Sequence, residues 1–309
     1  MSTLTEPAAP TDRTSRSWLR AIDDIANGIR ERELWGHLGW QDIKQRYRRS
    51  VIGPLWITVS MAITAVGLGL LYAVLFDQNV PTFLPYVTVG FIVWNFINGC
   101  LIEGMDTFIA NEGLIKHLPA PLTVYALRTV WRQTLFLAHN LVVYVIILVV
   151  FYTSLDHQYT LSKSAVCDPK NLDVICHPGL GWWSLSAIPA FLLLALNGGW
   201  VTLLFGIIST RFRDLPQVIN SLTMLLFYAT PIVWSADTIF AKHDQVHELA
   251  HTVMLFNPLY HYVQILRAPM IGNALSWLSW VVVGAFTVVG WALALVAMRN
   301  YRARVSYWV

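Results

Sequence analysis

The chain has 309 residues; 56% are hydrophobic, 13% are charged, and the net charge is +3. A soluble domain of this length cannot hide so much apolar surface, and the charged share is about half the globular norm. Composition therefore excludes an ordinary soluble protein, and the basic excess reads as topology and anionic-lipid contact rather than nucleic-acid binding.

Residues 1–17 are rich in Thr, Ser, Ala and Pro and lack an apolar core, which predicts a loose cytoplasmic tail without a signal peptide. In residues 18–50, Ile22, Ile25, Ile29, Leu34, Leu38 and Ile43 recur at roughly helical spacing among charges. This predicts an amphipathic helix at the cytoplasmic membrane surface, with Trp35 and Trp40 at headgroup depth. Residues 51–309 read as an all-α transmembrane domain of six spans.

The first span is expected at residues 55–76 and the second at 85–110. The second carries Asn95, Asn98, Glu103 and Asp106, and polar residues in an apolar span are functional candidates by default. Residues 111–121 predict a short helical turn closed by prolines. There Leu114, Ile115 and Leu118 form an apolar knob framed by Glu112, Lys116 and His117, suited either to docking in a partner's groove or to plain connection.

The third span, residues 123–152, carries Arg128 and Arg132 on one helical face. They serve either as ion-pair partners for Glu103 or Asp106, or as a receptor for a phosphate-bearing substrate, whose geometry matches the guanidinium fork. The outer loop, residues 153–183, holds Cys167 and Cys176, whose short separation in an oxidising compartment favours a local disulfide over two free thiols.

Spans four and five are expected at residues 184–209 and 215–233, the fifth broken near Pro231. Residues 234–275 predict two short re-entrant or interfacial outer helices, at 237–254 and 259–270. His243, His247 and His251 lie four apart, but no acidic or cysteine cluster accompanies them, so a wet helical face is expected and no metal. The sixth span covers residues 277–298.

Of the 21 Lys and Arg residues only Lys163, Lys170, Lys242 and Arg267 fall in the segments this topology places outside. The other 17 lie on one side, which puts both termini in the cytoplasm of a multi-pass membrane protein. No Gly-x-x-x-x-Gly-Lys-Ser/Thr loop occurs, so any ATP hydrolysis belongs to another chain; the expectation is no catalytic residue and no bound cofactor.

The run Asp42-Ile43-Lys44-Gln45-Arg46-Tyr47-Arg48-Arg49-Ser50-Val51-Ile52-Gly53-Pro54-Leu55-Trp56 resembles the signature that enters the first span of polysaccharide and O-antigen exporter permeases, of the type-2 ABC family. The stretch from Asn111 to Pro119, Phe227-Tyr228-Ala229-Thr230-Pro231-Ile232 and Asn257-Pro258-Leu259 match it in order and spacing. The cysteine-bearing loop looks more like that of mycobacterial galactan exporters. The resemblance implies two copies of this chain with two copies of a cytoplasmic ABC ATPase, which binds ATP and Mg. It further implies a conduit for a polyprenyl-pyrophosphate-linked glycan in cell-wall biogenesis.

On that resemblance Glu112 to Leu118 dock on the ATPase, while Arg46, Arg48 and Arg49, with Arg128 and Arg132, are the candidate pyrophosphate receptors. Trp56, Phe91, Trp94, Asn95, Asn98 and Phe108 are candidate channel-lining residues. The alternatives are a permease of the same architecture for a drug or small lipid, and a membrane glycosyltransferase or ligase. The second would need a catalytic acid or base at a membrane mouth, and the outer acids form no motif.

Overall fold

The computed structural model describes residues 16–117, 120–163, 165–167, 175–235, 252 and 254–309, and among these every regular element is helical. The surface segment forms two helices rather than one, α1 (Trp18–Arg30) and α2 (Arg32–Arg46), because Glu31 leaves the helix at φ −73°, ψ 39°. The break lets each helix find its own seat. α1 buries Ala21, Asp24 and Gly28, one turn apart, while α2 packs Trp35 edge-on against Trp131 at 5.9 Å. Trp35 is thus a helix-packing residue, and Trp40 is the exposed one.

α3 (Leu55–Leu75) and α4 (Val80–Met105) follow. α4 starts five residues earlier than expected, since Pro81 falls in its first turn, where a missing N–H costs nothing. It is the central helix: residues 82–94 are all buried, against α3, α6, α8 and α10 defined below. A short α5 (Glu112–His117) leads to α6 (Leu122–Val150) and one turn of α7 (Tyr152–Leu155). A 3-10 turn (Trp182–Ser186) opens α8 (Ala187–Arg211); α9 (Leu215–Ala229), α10 (Pro258–Ile271) and α11 (Trp277–Trp308) complete the order.

Five helices are long and apolar enough to cross a membrane: α3, α4, α6, α8 with its leading turn, and α11. This makes the chain a multi-pass integral membrane protein. The expected sixth, α9, has 15 residues, about 22 Å against a hydrocarbon layer of ~30 Å. Its end is set by Pro231, which drives Thr230 into the extended region (φ −92°, ψ 134°) and stops the helix at Ala229.

The two ends of the bundle differ in kind. At one end Cys167 and Cys176 are disulfide-bonded, and Tyr159 straps that loop to α10 by donating to the carbonyl of Ile271 (2.5 Å) and Oδ1 of Asn273 (2.9 Å). The expected helix over residues 237–254 lies almost wholly outside the described residues, as do His243, His247 and His251. α10 is largely buried, and His261 on it is a satisfied core histidine between Ser279 and the carbonyl of Leu255. Arg267, expected as an outer-side cation on the 259–270 helix, is 2% exposed: its guanidinium lies over the Tyr86 ring at 3.9 Å and donates to the Pro231 carbonyl at 2.5 Å. The other end gathers α1, α2, α5 and most of the arginines.

Candidate functional site

At the basic end the side chain of Asp42, on α2, faces the first turns of α6. Arg128 forks onto it, Nε to Oδ2 at 2.9 Å and Nη2 to Oδ1 at 2.5 Å, and Arg132 adds Nη1 to Oδ2 at 2.6 Å. Arg132 also donates to Oε2 of Glu103, on α4, from Nε (2.9 Å) and Nη2 (2.7 Å). Gln133 gives the same oxygen a third bond at 2.6 Å, and Arg46 reaches Oε1 at 3.4 Å. Arg128 finally donates to Asn111, just before α5, at 2.7 Å. One connected group thus ties α2, α4, α6 and the α5 approach.

Two glycines make that closeness feasible. A Cβ on Gly39 would lie 2.9 Å from the Trp131 ring and 3.2 Å from the Arg128 carbonyl, so α2 seats on α6 only without one. A Cβ on Gly99 would collide with the Gln133 amide, which needs that space to reach Glu103. Burial alone would raise the Asp42 carboxyl above its ordinary value. The hydrogen bonds and charge of Arg128, then those of Arg132, outweigh burial and hold it below that value.

The geometry therefore uses Arg128 and Arg132 as ion-pair partners, of Asp42 and Glu103; Asp106 has no carboxylate–cation pair among the described residues. Arg46 is half exposed, with its guanidinium 5.2 Å from the Phe136 ring. Arg48 and Arg49 are exposed and meet no carboxylate among the described residues.

About one turn further into the bundle lies a cavity of about 440 Å³ between α3, α4 and α6. Arg46 and Glu103 stand at its basic end, and Ser60, Thr64, Asn95, Asn98, Gln133 and Asn140 line it among phenylalanines. The side-chain oxygens of Asn98 and Asn140 are buried there with no hydrogen-bond partner, and Asn140 is only 6% exposed. An unpartnered amide oxygen in an apolar span costs about 1–3 kcal/mol unless something fills the space beside it.

The aromatic candidates separate. Phe91 borders the cavity and contacts Phe227 at 5.7 Å; Trp94 packs on the same ring at 5.4 Å but is buried and does not border it. Phe108 is corrected: it is fully buried against Gly206 in the basic-end core, so its ring fills space between helices and faces no opening. Trp56 is 46% exposed at the start of α3.

In α5, Leu114 and Ile115 are half-buried against the chain's own basic-end core, so they do not stand free as a knob. The exposed face consists of Glu112, Gly113, Lys116 and His117, and Leu118 lies outside the described residues. Lys116 binds Glu112 at 2.6 Å, which lowers that carboxyl below its usual range, and also the Val309 carbonyl at 2.8 Å.

Sequence reasoning missed Asp42, Gln133 and Asn140, and also Asp24. Asp24 accepts from the backbone of Leu122 (3.2 Å) and Thr123 (3.0 Å) at the start of α6, and from Arg302 Nε at 2.6 Å. It satisfies N–H groups that a helix start leaves open and pins α1 to both α6 and α11.

The family model described as ABC-2 type transporter matches residues 33–271, a span that holds the whole Asp42 group and the cavity. The O-antigen export system permease protein RfbA of Klebsiella pneumoniae is 24% identical over 237 residues, covering 73% of this chain and 82% of that protein. A protein of the same description from Myxococcus xanthus is 25% identical over 236 residues, 74% of this chain and 78% of its own length.

Proposed function

Because the chain belongs to the ABC-2 type transporter family, we propose that it is the permease of an exporter for a polyprenyl-pyrophosphate-linked polysaccharide, O-antigen-like or galactan. Two copies surround a conduit across the cytoplasmic membrane, and a separate ABC ATPase, carrying ATP and Mg, drives it. The names of the relatives favour a polysaccharide over a drug or small lipid.

The observation that carries the reading is the cavity lined by hydroxyls and amides, with Arg46 and Glu103 only at its basic end and the Asn98 and Asn140 oxygens unpartnered. A polysaccharide loses hydration on entering hydrocarbon, and acceptors placed where sugar hydroxyls pass replace it. The hydroxyls and amides suit sliding, because they do not hold the polymer by charge. The cavity wall continues onto the exposed α3 face of Trp56, Ser60 and Thr64, and α9 exposes Gln217, Asn220 and Ser221. Polar residues exposed on apolar helices call for a wet neighbour, here the space between two copies. On this reading α9 with the extended residues after it completes a sixth crossing, and both termini lie in the cytoplasm.

Arg48 and Arg49, exposed at the mouth beside Arg46, receive the pyrophosphate; Arg128 and Arg132 set the angle of α2 above the cavity. ATPase closure presses on the exposed face of α5, and Asn111 passes the movement to Arg128. Reconstitution with the cognate ATPase tests this: defined lipid-linked glycans should stimulate ATP hydrolysis and appear on the far side of the vesicle. Stimulation by a drug or simple lipid, with none by glycan, would transfer the reading to the small-substrate alternative.

A further inference from the structure

A second pocket, unconnected with the polar cavity, opens between the basic ends of α8 and α11, with a volume of about 700 Å³. Ile207 and Ile208 form its floor; Arg211, Arg304, Tyr301 and Trp308 form its walls. We propose that it binds the headgroup of an anionic phospholipid from the leaflet at the basic end.

Depth is the first argument. The apolar run of α11 ends at Met298, and Arg304 lies six residues on, about 9 Å further along the helix. The apolar run of α8 ends at Ile208, which puts Arg211 about 5 Å beyond. The polar layer of a bilayer begins where such runs stop and is about 5–8 Å thick. Arg211 therefore stands at phosphate depth and Arg304 at its outer edge, its side chain leaning back along the helix toward that layer, while the isoleucine floor meets the first methylenes of an acyl chain.

Charge is the second. Arg128, Arg132 and Arg302 each meet a carboxylate, whereas Arg211 and Arg304 meet none among the described residues. Arg211 instead lies over the Trp308 ring at 5.7 Å, and Trp308 leans on Tyr301 at the same centroid distance. Arg213 fixes the rim by donating to the Trp308 carbonyl at 3.2 Å. Stacking on Trp308 orients Arg211 without spending its donors, leaving the fork for phosphate oxygens. A protein partner seated here would need an acidic segment with apolar flanks at membrane depth; the lipid brings that combination already placed.

The test uses the full-length permease in mixed micelles, with retained lipid counted by native mass spectrometry. Phosphatidylglycerol should be retained over phosphatidylcholine, and Arg211→Gln with Arg304→Gln should weaken that preference about 30-fold, the product of two basic contacts. The double variant should melt at the wild-type temperature in phosphatidylcholine alone, and Arg304→Lys should recover part of the preference. Three results would overturn the proposal. One is an undiminished preference in the double variant. Another is equal competition by inorganic phosphate, which would make this a soluble-anion site. The third is displacement of the lipid by the partner ATPase, which would make it a protein interface. None of these readouts depends on export, so the site stands or falls apart from the proposed cargo.

Discussion

The Asp42 group and the Asn98–Asn140 cavity are neighbours on the same two helices and treat polarity in opposite ways. In the first, two carboxylates and three guanidinium groups are woven together and reinforced by Gln133 and Asn111. In the second, neutral amides line a cavity, and the oxygens of Asn98 and Asn140 are buried without a partner. Charge packed between helices is saturated here, so the first region is fixed; neutral polarity is left unpaired where something polar passes, so the second is a surface for use.

The contrast breaks most visibly at Asp42. Asp42→Ala leaves Arg128 without its forked partner in a half-buried place and should cost about 3 kcal/mol, read as a lower melting temperature in detergent together with loss of coupled transport. Acid should do the same reversibly. A carboxyl held below its ordinary value of 3.8 contributes stability above that value and loses it as pH falls through the depressed one, so α2 should stay docked at pH 4 and detach only in stronger acid. Detachment already at pH 5, followed by Trp35 fluorescence, would contradict the geometry.

Replacing Asn98 and Asn140 together with leucine should act the other way. The fold should hold or gain stability, because two unpartnered oxygens disappear, while transport falls about tenfold for want of two hydrogen bonds. A fall in melting temperature like that of Asp42→Ala would erase the distinction between the regions. The smallest effect belongs to Glu112→Ala. Its pair with Lys116 is exposed at the surface, so the melting temperature should hardly move, and ATPase coupling reports the change.

Much of this was legible in the chain. Alternating basic segments and apolar runs gave five of the expected crossings, and Pro231 marked where α9 stops. The spacing of Arg128 and Arg132 placed them on one face and offered ion pairing as one of two uses. The identity of their main partner was not legible: Asp42 stands 86 and 90 residues away, and local pattern carries no information across that gap. Asn140 escaped because a lone asparagine in an apolar run looks the same whether it faces a cavity or a neighbouring helix. Phe108 misled for the same reason, since ring chemistry does not report which side of a helix the ring takes.

One contact carries a consequence for biosynthesis. Asp24 is made 278 positions before Arg302, and its side chain is 1% exposed in the finished fold. As the ribosome feeds helices into the membrane, Asp24 can dock on the start of α6, but it waits for its countercharge until α11 has emerged. A chain stalled or cut before Arg302 lacks the guanidinium that pairs with this buried acid. The seat of α1 is thus complete only once α11 has arrived.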